Sequence, residues 1–339
     1  MKNSVFIIAE IGVNHNGSIT LAKKLIKQLS KLDINAVKIQ SYSTDNLVSK
    51  KSILADYQKD DNLEYSNQYE MLKKYELSKK QIIKLSKFSK ECGISFMSSV
   101  FSIQDFKKLS SLSKKIIKIP SGEFTNYELI DFSLNNYKEL ILSTGLSDLK
   151  EVDDVVAKLK KKRKNLEGIT LMHSTSAYPC PENQVDIQSV TTIKNRYNVK
   201  VGYSDHTTSS IASVMAVSLG ATVIEKHVTL DKRLKGPDHK ASLDILEFAS
   251  FVNEIRHAEL MLGNGKKNIQ SDAQKIKKVV KKSIYSTKAI KKGEKFTLEN
   301  VKLLRPAGGL DPSNLNRLIK KRAKKDYQEN QIISNNEII

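Results

Sequence analysis

Tryptophan is absent from this chain, and its 339 residues include only two cysteines, six prolines and 6% aromatic residues. Cys92 and Cys180 are far apart, without metal-type spacing, and too few for a disulfide framework, so a reducing, cytoplasmic setting is expected. The apolar run from Val5 to Ala9 is too short for a signal-peptide core and is interrupted by Glu10. No other run approaches the roughly 20 apolar residues that span a bilayer. A soluble protein with no membrane partner is expected.

Acidic residues are also scarce, 37 against 57 lysines and arginines, for a formal net charge of +20. That balance admits nucleic acid, a membrane surface or a phosphorylated substrate as partner. The lysines are scattered, however, as in Lys23-Lys24, Lys79-Lys80 and Lys160-Lys161-Lys162, and read as solvated helix faces. With no aromatic-interleaved basic patch, no nucleic-acid partner is expected.

What the chain does have is eight short apolar, β-branched runs separated by helix-period segments. The runs are 6–10, 36–40, 95–99, 116–119, 140–143, 169–173, 199–203 and 221–227. Leu21, Leu25, Leu29 and Leu32 show the helical spacing between them, and Gly220 reads as a helix-terminating glycine. Eight βα units in about 250 residues predict an α/β fold of the (β/α)8 TIM-barrel type. The open doubly wound sheet is disfavoured, because no Gly-x-Gly-x-x-Gly turn follows the first run. The connection 42–77 is several times the usual βα length and reads as an active-site rim, locally helical from Tyr65 to Tyr75. The predicted division is a catalytic barrel over 1–263, a lysine-rich linker over 264–281 and a small domain of short strands over 282–339.

In such a barrel the C-terminal strand ends line the catalytic mouth. Here every one carries polar groups: Glu10 with Asn14-His15-Asn16-Gly17; Lys38 and Gln40; Ser98-Ser99; Lys118 with Ser121-Gly122-Glu123; Ser143-Thr144-Gly145; His173-Ser174-Thr175; Ser204-Asp205-His206-Thr207; and Glu225-Lys226-His227. One lysine or serine near a strand end is usually a capped or snorkelling residue, but eight polar ends together are hard to read as solvated surface. Lysines with serine hydroxyls cradle an anion such as a phosphate or carboxylate. His206 and His227, on neighbouring strands, are placed to share a divalent ion with positions left for water or substrate. Glu10 and Glu123 offer carboxylates for water activation or sugar hydroxyls, or alternatively for pairing with Lys38 or Lys118. Gly236-Pro237-Asp238-His239-Lys240 forms a turn that brings Asp238 and His239 towards the same mouth.

These strings, from Ile8-Ala9-Glu10-Ile11-Gly12-Val13-Asn14-His15-Asn16-Gly17 through Lys118-Ile119-Pro120-Ser121-Gly122-Glu123 and Gly202-Tyr203-Ser204-Asp205-His206-Thr207 to Ile224-Glu225-Lys226-His227, resemble the sialic acid synthase family in order along nearly the whole chain. The segment from about Lys282 is similar to that family's antifreeze-like (SAF, β-clip type) domain. The resemblance implies condensation of phosphoenolpyruvate with an N-acetylated mannosamine, releasing phosphate and leaving a nine-carbon 2-keto acid. N-acetylmannosamine is the expected sugar, with the 2,4-diacetamido trideoxy sugar of legionaminic acid as the alternative.

By position, Lys38, Ser99, Lys118, Ser121, Ser143 and Ser204 would hold phosphoenolpyruvate, with Glu10, Glu123, Lys38 and Lys118 as the catalytic groups. Glu10, Gln40, Glu123, Tyr178, Asp238 and Arg305 would line the sugar side, and His206 and His227 would bind Mn2+ or Mg2+. The resemblance also implies a domain-swapped homodimer in which Arg305 reaches the partner's site. Three stretches depart from the family pattern, the third being Arg305-Pro306-Ala307-Gly308-Gly309. Ser99 replaces a threonine while keeping a hydroxyl, and Ala177, before Tyr178, removes a polar group near the presumed sugar site. A Schiff-base aldolase using Lys38 or Lys118 is the competing enzymatic reading.

Overall fold

A computed structural model describes residues 4–55, 58, 65–109, 112–334 and 336. Contacts divide the chain into Met1–Gly263 and Asn264–Ile339. The first unit runs β1 (Phe6–Gly12), α1 (Ile19–Leu29), β2 (Ala36–Ser41), α2 (Thr44–Leu47), α3 (Gln68–Tyr75), α4 (Lys79–Glu91), β3 (Ser95–Val100), β4 (Ile116–Ile119), α5 (Tyr127–Asn136), β5 (Glu139–Ser143), α6 (Leu149–Lys162), β6 (Ile169–Ser174), α7 (Ser189–Tyr197), β7 (Lys200–Asp205), α8 (Ile211–Ser218), β8 (Val223–His227) and α9 (Ile245–Leu262). The eight strands close in sequence order into a barrel, β1 pairing parallel to both β2 and β8. The predicted strands therefore exist in the predicted order, with ends shifted by a residue or two. Side-chain caps fix several helix starts, including the reciprocal Asp244 and Glu247 box that opens α9.

Each strand is buried on both faces, which hides its two-residue alternation inside a continuous apolar pattern. One set, including Ile7, Ala9, Val37, Ile39, Leu140, Leu142, Leu171, Val201 and Ile224, packs outwards against the helices. The opposite set meets inside the barrel, where Ile8, Ala36, Met97, Ile141, Met172 and Val223 form a separate apolar layer. The next inward positions along the strands are Glu10, Lys38, Ser99, Ser143, Ser174 and Glu225, two residues closer to the C-terminal ends. Polar groups thus begin directly above an apolar floor. Gly202 belongs to that floor: a Cβ there would lie 2.8 Å from Val223 O and 3.0 Å from Met172 Cε, so only glycine leaves Met172 its space.

The long 42–77 connection contains two helices, α2 and α3, and residues 56, 57 and 59–64 of it lie outside the described residues. Its base is tied by Glu76, which accepts from Thr44 N at 3.0 Å, Thr44 Oγ1 at 2.8 Å and Lys108 Nζ at 2.8 Å. Tyr42, Tyr65, Met71, Leu72 and Tyr75 bury an apolar face together with Val13 from the loop after β1. The connection is thereby packed on the C-terminal side of the barrel, where a rim belongs.

The second unit has its own small core of Ile284, Ile290, Phe296, Val301, Leu310, Leu318, Ala323, Tyr327 and Ile333. It contains α10 (Ser271–Val280), antiparallel β9 (Ser283–Ser286) and β10 (Val301–Leu304), and α11 (Leu315–Leu318). The segment 264–281, expected as a linker, therefore includes a helix. Asp272 in its first turn and Lys277 and Lys278 in its last match the helix dipole, a pattern the lysine-rich composition obscured.

Gly17 ties the loop after β1 to this rim. Its φ is +71°, and a Cβ there would sit 2.7 Å from the Lys74 carbonyl oxygen in α3. Gly17→Ala is expected to lower unfolding free energy by about 1–3 kcal/mol, through backbone strain and overlap together. Denaturant titration checks this, and an unchanged midpoint would disprove the close approach.

Candidate active site

Four buried charges occupy the inward positions of β1, β2, β4 and β8. Lys38 Nζ lies 2.8 Å from Glu10 Oε2 and 3.6 Å from Glu225 Oε2. It also donates to Ser99 Oγ at 2.8 Å. Lys118 Nζ spans both oxygens of Glu225, at 2.9 and 3.0 Å, and Ser204 Oγ donates to Glu225 Oε1 at 3.0 Å. Strand register explains the meeting, because Glu10 is beside both Lys38 and His227, Ser99 beside Lys118, and Ser204 beside Glu225. Met172 Sδ, from the apolar floor, is 3.2 Å from Lys118 Nζ.

Burial controls how these groups titrate. It pushes the Glu10 carboxyl up to about 7 against the opposing pull of Lys38. Burial also lowers Lys118, with Glu225 opposing. At Lys38 burial acts downwards too, but Glu10 and Glu225 outweigh it and the ammonium is held above its ordinary value. Glu225 is held well below the carboxylate range, because Lys118 and Lys38 together outweigh the effect of burial. The site thus pairs a strongly basic Lys38 and a less basic Lys118 with one firmly ionised carboxylate, and a second carboxyl is poised to exchange a proton near neutrality.

The serines lie around this network. Ser99, Ser143 and Ser204 are buried, and Ser121 Oγ accepts from Gly145 N at 3.1 Å and lies 3.5 Å from Ser174 Oγ. A Cβ on Gly145 would lie within 3.0 Å of the hydroxyls of Ser121, Ser174 and Ser176, so the loop after β5 closes over them only as glycine.

Two imidazoles occupy the next level. The rings of His206 and His227 are 5.7 Å apart, and Tyr178 packs on His206 at 4.2 Å and edge-on to His227 at 5.8 Å. His206 Nδ1 bonds the Thr175 carbonyl at 2.7 Å, so that nitrogen carries the proton and Nε2 presents its lone pair. His227 Nδ1 is buried without a hydrogen-bond partner, with Asp238 Oδ2 3.6 Å away. Burial holds both rings below their ordinary pKa, His227 well below, and therefore neutral. Two neutral imidazoles 5.7 Å apart, one with a nitrogen that lacks a hydrogen-bond partner and the other with an Nε2 whose one contact is Ser204 Oγ at 3.5 Å, suit a divalent ion. Among the described residues no group of three or more His, Cys, Asp or Glu side chains has metal-site geometry, so further ligands would be water or substrate.

Other expected residues are placed differently. Gln40 lies beside Ser99 in register, half-buried. Asp238 is buried, which raises its carboxyl to about 6. Of the readings open for Glu123, the alternative of pairing with Lys38 or Lys118 is not what forms: Glu123 accepts from Asn126 Nδ2 at 2.8 Å, in the turn before α5, while Lys118 pairs with Glu225. Glu123 lies beyond the end of β4, three residues before Asn126, the N-cap residue of α5, so its local partner is that side-chain amide. Ala177 is half-buried and packs against the outer apolar core. Arg305 belongs to the second unit, exposed on a loop held by Tyr285 OH donating to Pro306 O at 2.9 Å. Glu225 is the residue the sequence reading left out of the site. Its signal was present, since Glu225 and His227 alternate on one strand and must share the interior.

Comparison with known proteins agrees with this arrangement. Residues 25–267 match the NeuB family model and residues 281–339 the SAF domain. The chain belongs to the NeuB family. It is 40% identical over 333 residues, 98% of its length and 99% of the relative's, to the N,N'-diacetyllegionaminic acid synthase of Campylobacter jejuni. It is 41% identical over 316 residues, 93% of its length and 89% of the relative's, to the enzyme of the same name from Legionella pneumophila. Among solved structures, the N-acetylneuraminic acid synthetase of Leptospira borgpetersenii, in complex with citrate, superimposes with a TM-score of 0.70 at 31% identity, over 81% of this chain and 90% of that one. As a NeuB-family member the chain is a phosphoenolpyruvate-dependent nonulosonic acid synthase, a transferase that forms a carbon–carbon bond. The SAF match places the second unit's fold as expected. No helix among the described residues is long and apolar enough to cross a membrane.

Glu225 neutralises two ammonium groups, so its loss leaves buried charge without compensation. Glu225→Ala is expected to cost about 3–5 kcal/mol of stability. Glu225→Gln combined with Lys118→Met should cost less than the alanine variant alone, because one ammonium is removed with the carboxylate. Equilibrium unfolding of the two proteins makes the comparison, and an alanine variant as stable as the parent would rule out the central role.

Proposed function

We propose that this site condenses phosphoenolpyruvate with 2,4-diacetamido-2,4,6-trideoxymannose to give N,N'-diacetyllegionaminic acid and phosphate. The condensation rests on one observation above all, the buried network in which Lys38 and Lys118 stand among Ser99 and Ser204 over an apolar floor. Such cations, shielded from water, bind a compact polyanion far more strongly than surface lysines do. The choice of sugar rests on the two relatives named for that product, each matched over nearly the whole chain. That likeness moves the preference away from N-acetylmannosamine, the sugar expected from the motifs.

In this reading Lys38, Lys118, Ser99, Ser121, Ser143 and Ser204 hold the phosphate and carboxylate, the anion displacing part of the Glu225 and Glu10 contacts. C3 of phosphoenolpyruvate forms a bond to the sugar's aldehyde carbon, whose C=O π bond opens and whose oxygen takes up a proton to become a hydroxyl, leaving positive charge at C2. Water adds there, one of its protons passes to a neighbouring carboxylate, and the other leaves with phosphate as the C2–O bond breaks to give the keto group. Glu10 suits the proton transfer, because a carboxyl near 7 accepts and returns a proton at neutral pH. His206 and His227 would hold Mn2+ or Mg2+, which when bound would supply Lewis-acid polarisation of the aldehyde oxygen. Gln40, Tyr178 and Asp238 would face the sugar, with Arg305 added from a partner's second unit in a domain-swapped homodimer.

Parallel assays with the two sugars, each with phosphoenolpyruvate, read phosphate release and product mass. Faster turnover of the diacetamido sugar is expected. Faster turnover of N-acetylmannosamine would reverse the choice of sugar, and phosphate release with no sugar would sink the condensation itself.

Subunit mixing addresses Arg305. Arg305→Ala and Lys118→Met proteins should each be nearly inactive alone. In a swapped pair one of the two sites would combine an intact Lys118 with an intact Arg305, so unfolding and refolding a mixture should restore activity. No recovery from a mixture shown by size and mass to contain mixed dimers would refute the swap.

A further inference from the structure

Strand alternation that turns Ser204, Glu225 and His227 inwards turns Asp205 and Lys226 outwards, and these two are neighbours in register. They form an ion pair at 3.0 Å, with side chains 0% and 1% exposed. The pair is the centre of a larger knot. Asp205 Oδ1 accepts from Thr207 N and Thr207 Oγ1, both at 2.8 Å, and Oδ2 from Ser213 Oγ at 2.7 Å in α8. Lys226 Nζ also donates to the carbonyls of Thr207 and Ser209, the latter at 3.1 Å, and lies 5.8 Å from the Phe251 ring centre in α9. The turn 206–209 is therefore fastened from behind to β8, α8 and α9, and its first residue is His206. From the other side, Cys180 N donates to the His206 carbonyl at 2.8 Å, and Thr175 O receives the His206 ring proton.

We propose that Asp205 and Lys226 are positioning residues for the imidazole pair, setting the spacing of His206 and His227 from the far side of strands β7 and β8. The proposal rests on the reading that these imidazoles bind a divalent ion. A buried pair bridging two strand ends resists slippage between them, and each member sits one residue from an imidazole, His206 or His227. Fixing backbone there fixes the space between the rings. The anion cradle depends on this knot less: Ser204 and Glu225 adjoin it, but Lys38, Ser99 and Lys118 stand on β2, β3 and β4, and Ser121 and Ser143 follow β4 and close β5.

The test titrates Mn2+ alone, followed by its free-ion electron paramagnetic resonance signal, and separately phosphoenolpyruvate alone by calorimetry. Asp205→Asn combined with Lys226→Met removes both charges without stranding either one. Its Mn2+ dissociation constant is expected to rise about tenfold or more, the scale on which outer partners of metal-binding histidines act. Phosphoenolpyruvate affinity should stay within about twofold, and thermal unfolding should remain cooperative. Equal weakening of both ligands would mean general loosening and overturn the proposal. Unchanged Mn2+ affinity with a lowered melting temperature would reduce the pair to a structural one and overturn it too. A parent protein that binds no Mn2+ would sink the metal reading and this proposal together, whereas a parent and variant that bind it equally would sink this proposal alone. Should the double variant not fold, Thr207→Val, which removes one donor to Asp205 and no charge, must shift Mn2+ affinity in the same direction and leave phosphoenolpyruvate unmoved.

Discussion

The structure depends on four charges that water does not reach. Placing Glu10, Lys38, Lys118 and Glu225 inside a barrel incurs a desolvation cost for each, and the cost is offset only because strand register delivers every cation to a carboxylate. Serine hydroxyls complete the remaining positions. Replacing such a network with apolar residues commonly leaves a fold no less stable, so folding alone does not account for it. In the proposed reaction the cations are already stripped of water and held in place before an anion arrives, leaving little reorganisation for the moment of binding.

Two neighbouring layers make this possible. The floor of Ile8, Ala36, Met97, Ile141, Met172 and Val223 seals the barrel below the charges, and Gly202 gives Met172 room to lie against Lys118. Above them the imidazoles and Tyr178 form a second polar level, with the deeper residues supplying fixed charge and the shallower ones neutral donors and acceptors. The gradient follows from alternation, since one strand contributes Ile8 to the floor and Glu10 to the charges, and another Val223, Glu225 and His227 to three successive levels.

Alternation also explains how much of this was legible in the sequence. Eight apolar runs with helical spacers were enough for the barrel, and polar residues at every strand end were enough to locate the mouth. Strand ends do not say which residues face one another across the barrel, however. Lys118 therefore looked able to pair with Glu10 or with Glu123, four positions after its strand, while Glu225 on the far side was given no role. The structure chooses Glu225 because β4 and β8 both point that side chain position inwards, while Glu123 has left the strand and joined a helix start. The helix in 264–281 was masked by its lysines, although Ala273, Ile276, Val279 and Val280 recur at helical spacing along it.

A division of labour within the site follows from which elements carry each group. The groups assigned to phosphoenolpyruvate stand mostly on barrel strands, whose relative heights are fixed by hydrogen-bonded register. Those assigned to the sugar are mostly elsewhere, with Tyr178 and Asp238 in loops and Arg305 in the second unit. Register cannot be adjusted locally, because a shift by one residue would turn every inward group of a strand outwards. Loops can change length and composition without that penalty. A scaffold of this kind can hold one anion by the same strand positions while loops accommodate different sugars, and relatives named for legionaminic and N-acetylneuraminic acids share its fold. Sugar choice is therefore to be sought in residues such as Tyr178 and Asp238 rather than in the charged interior.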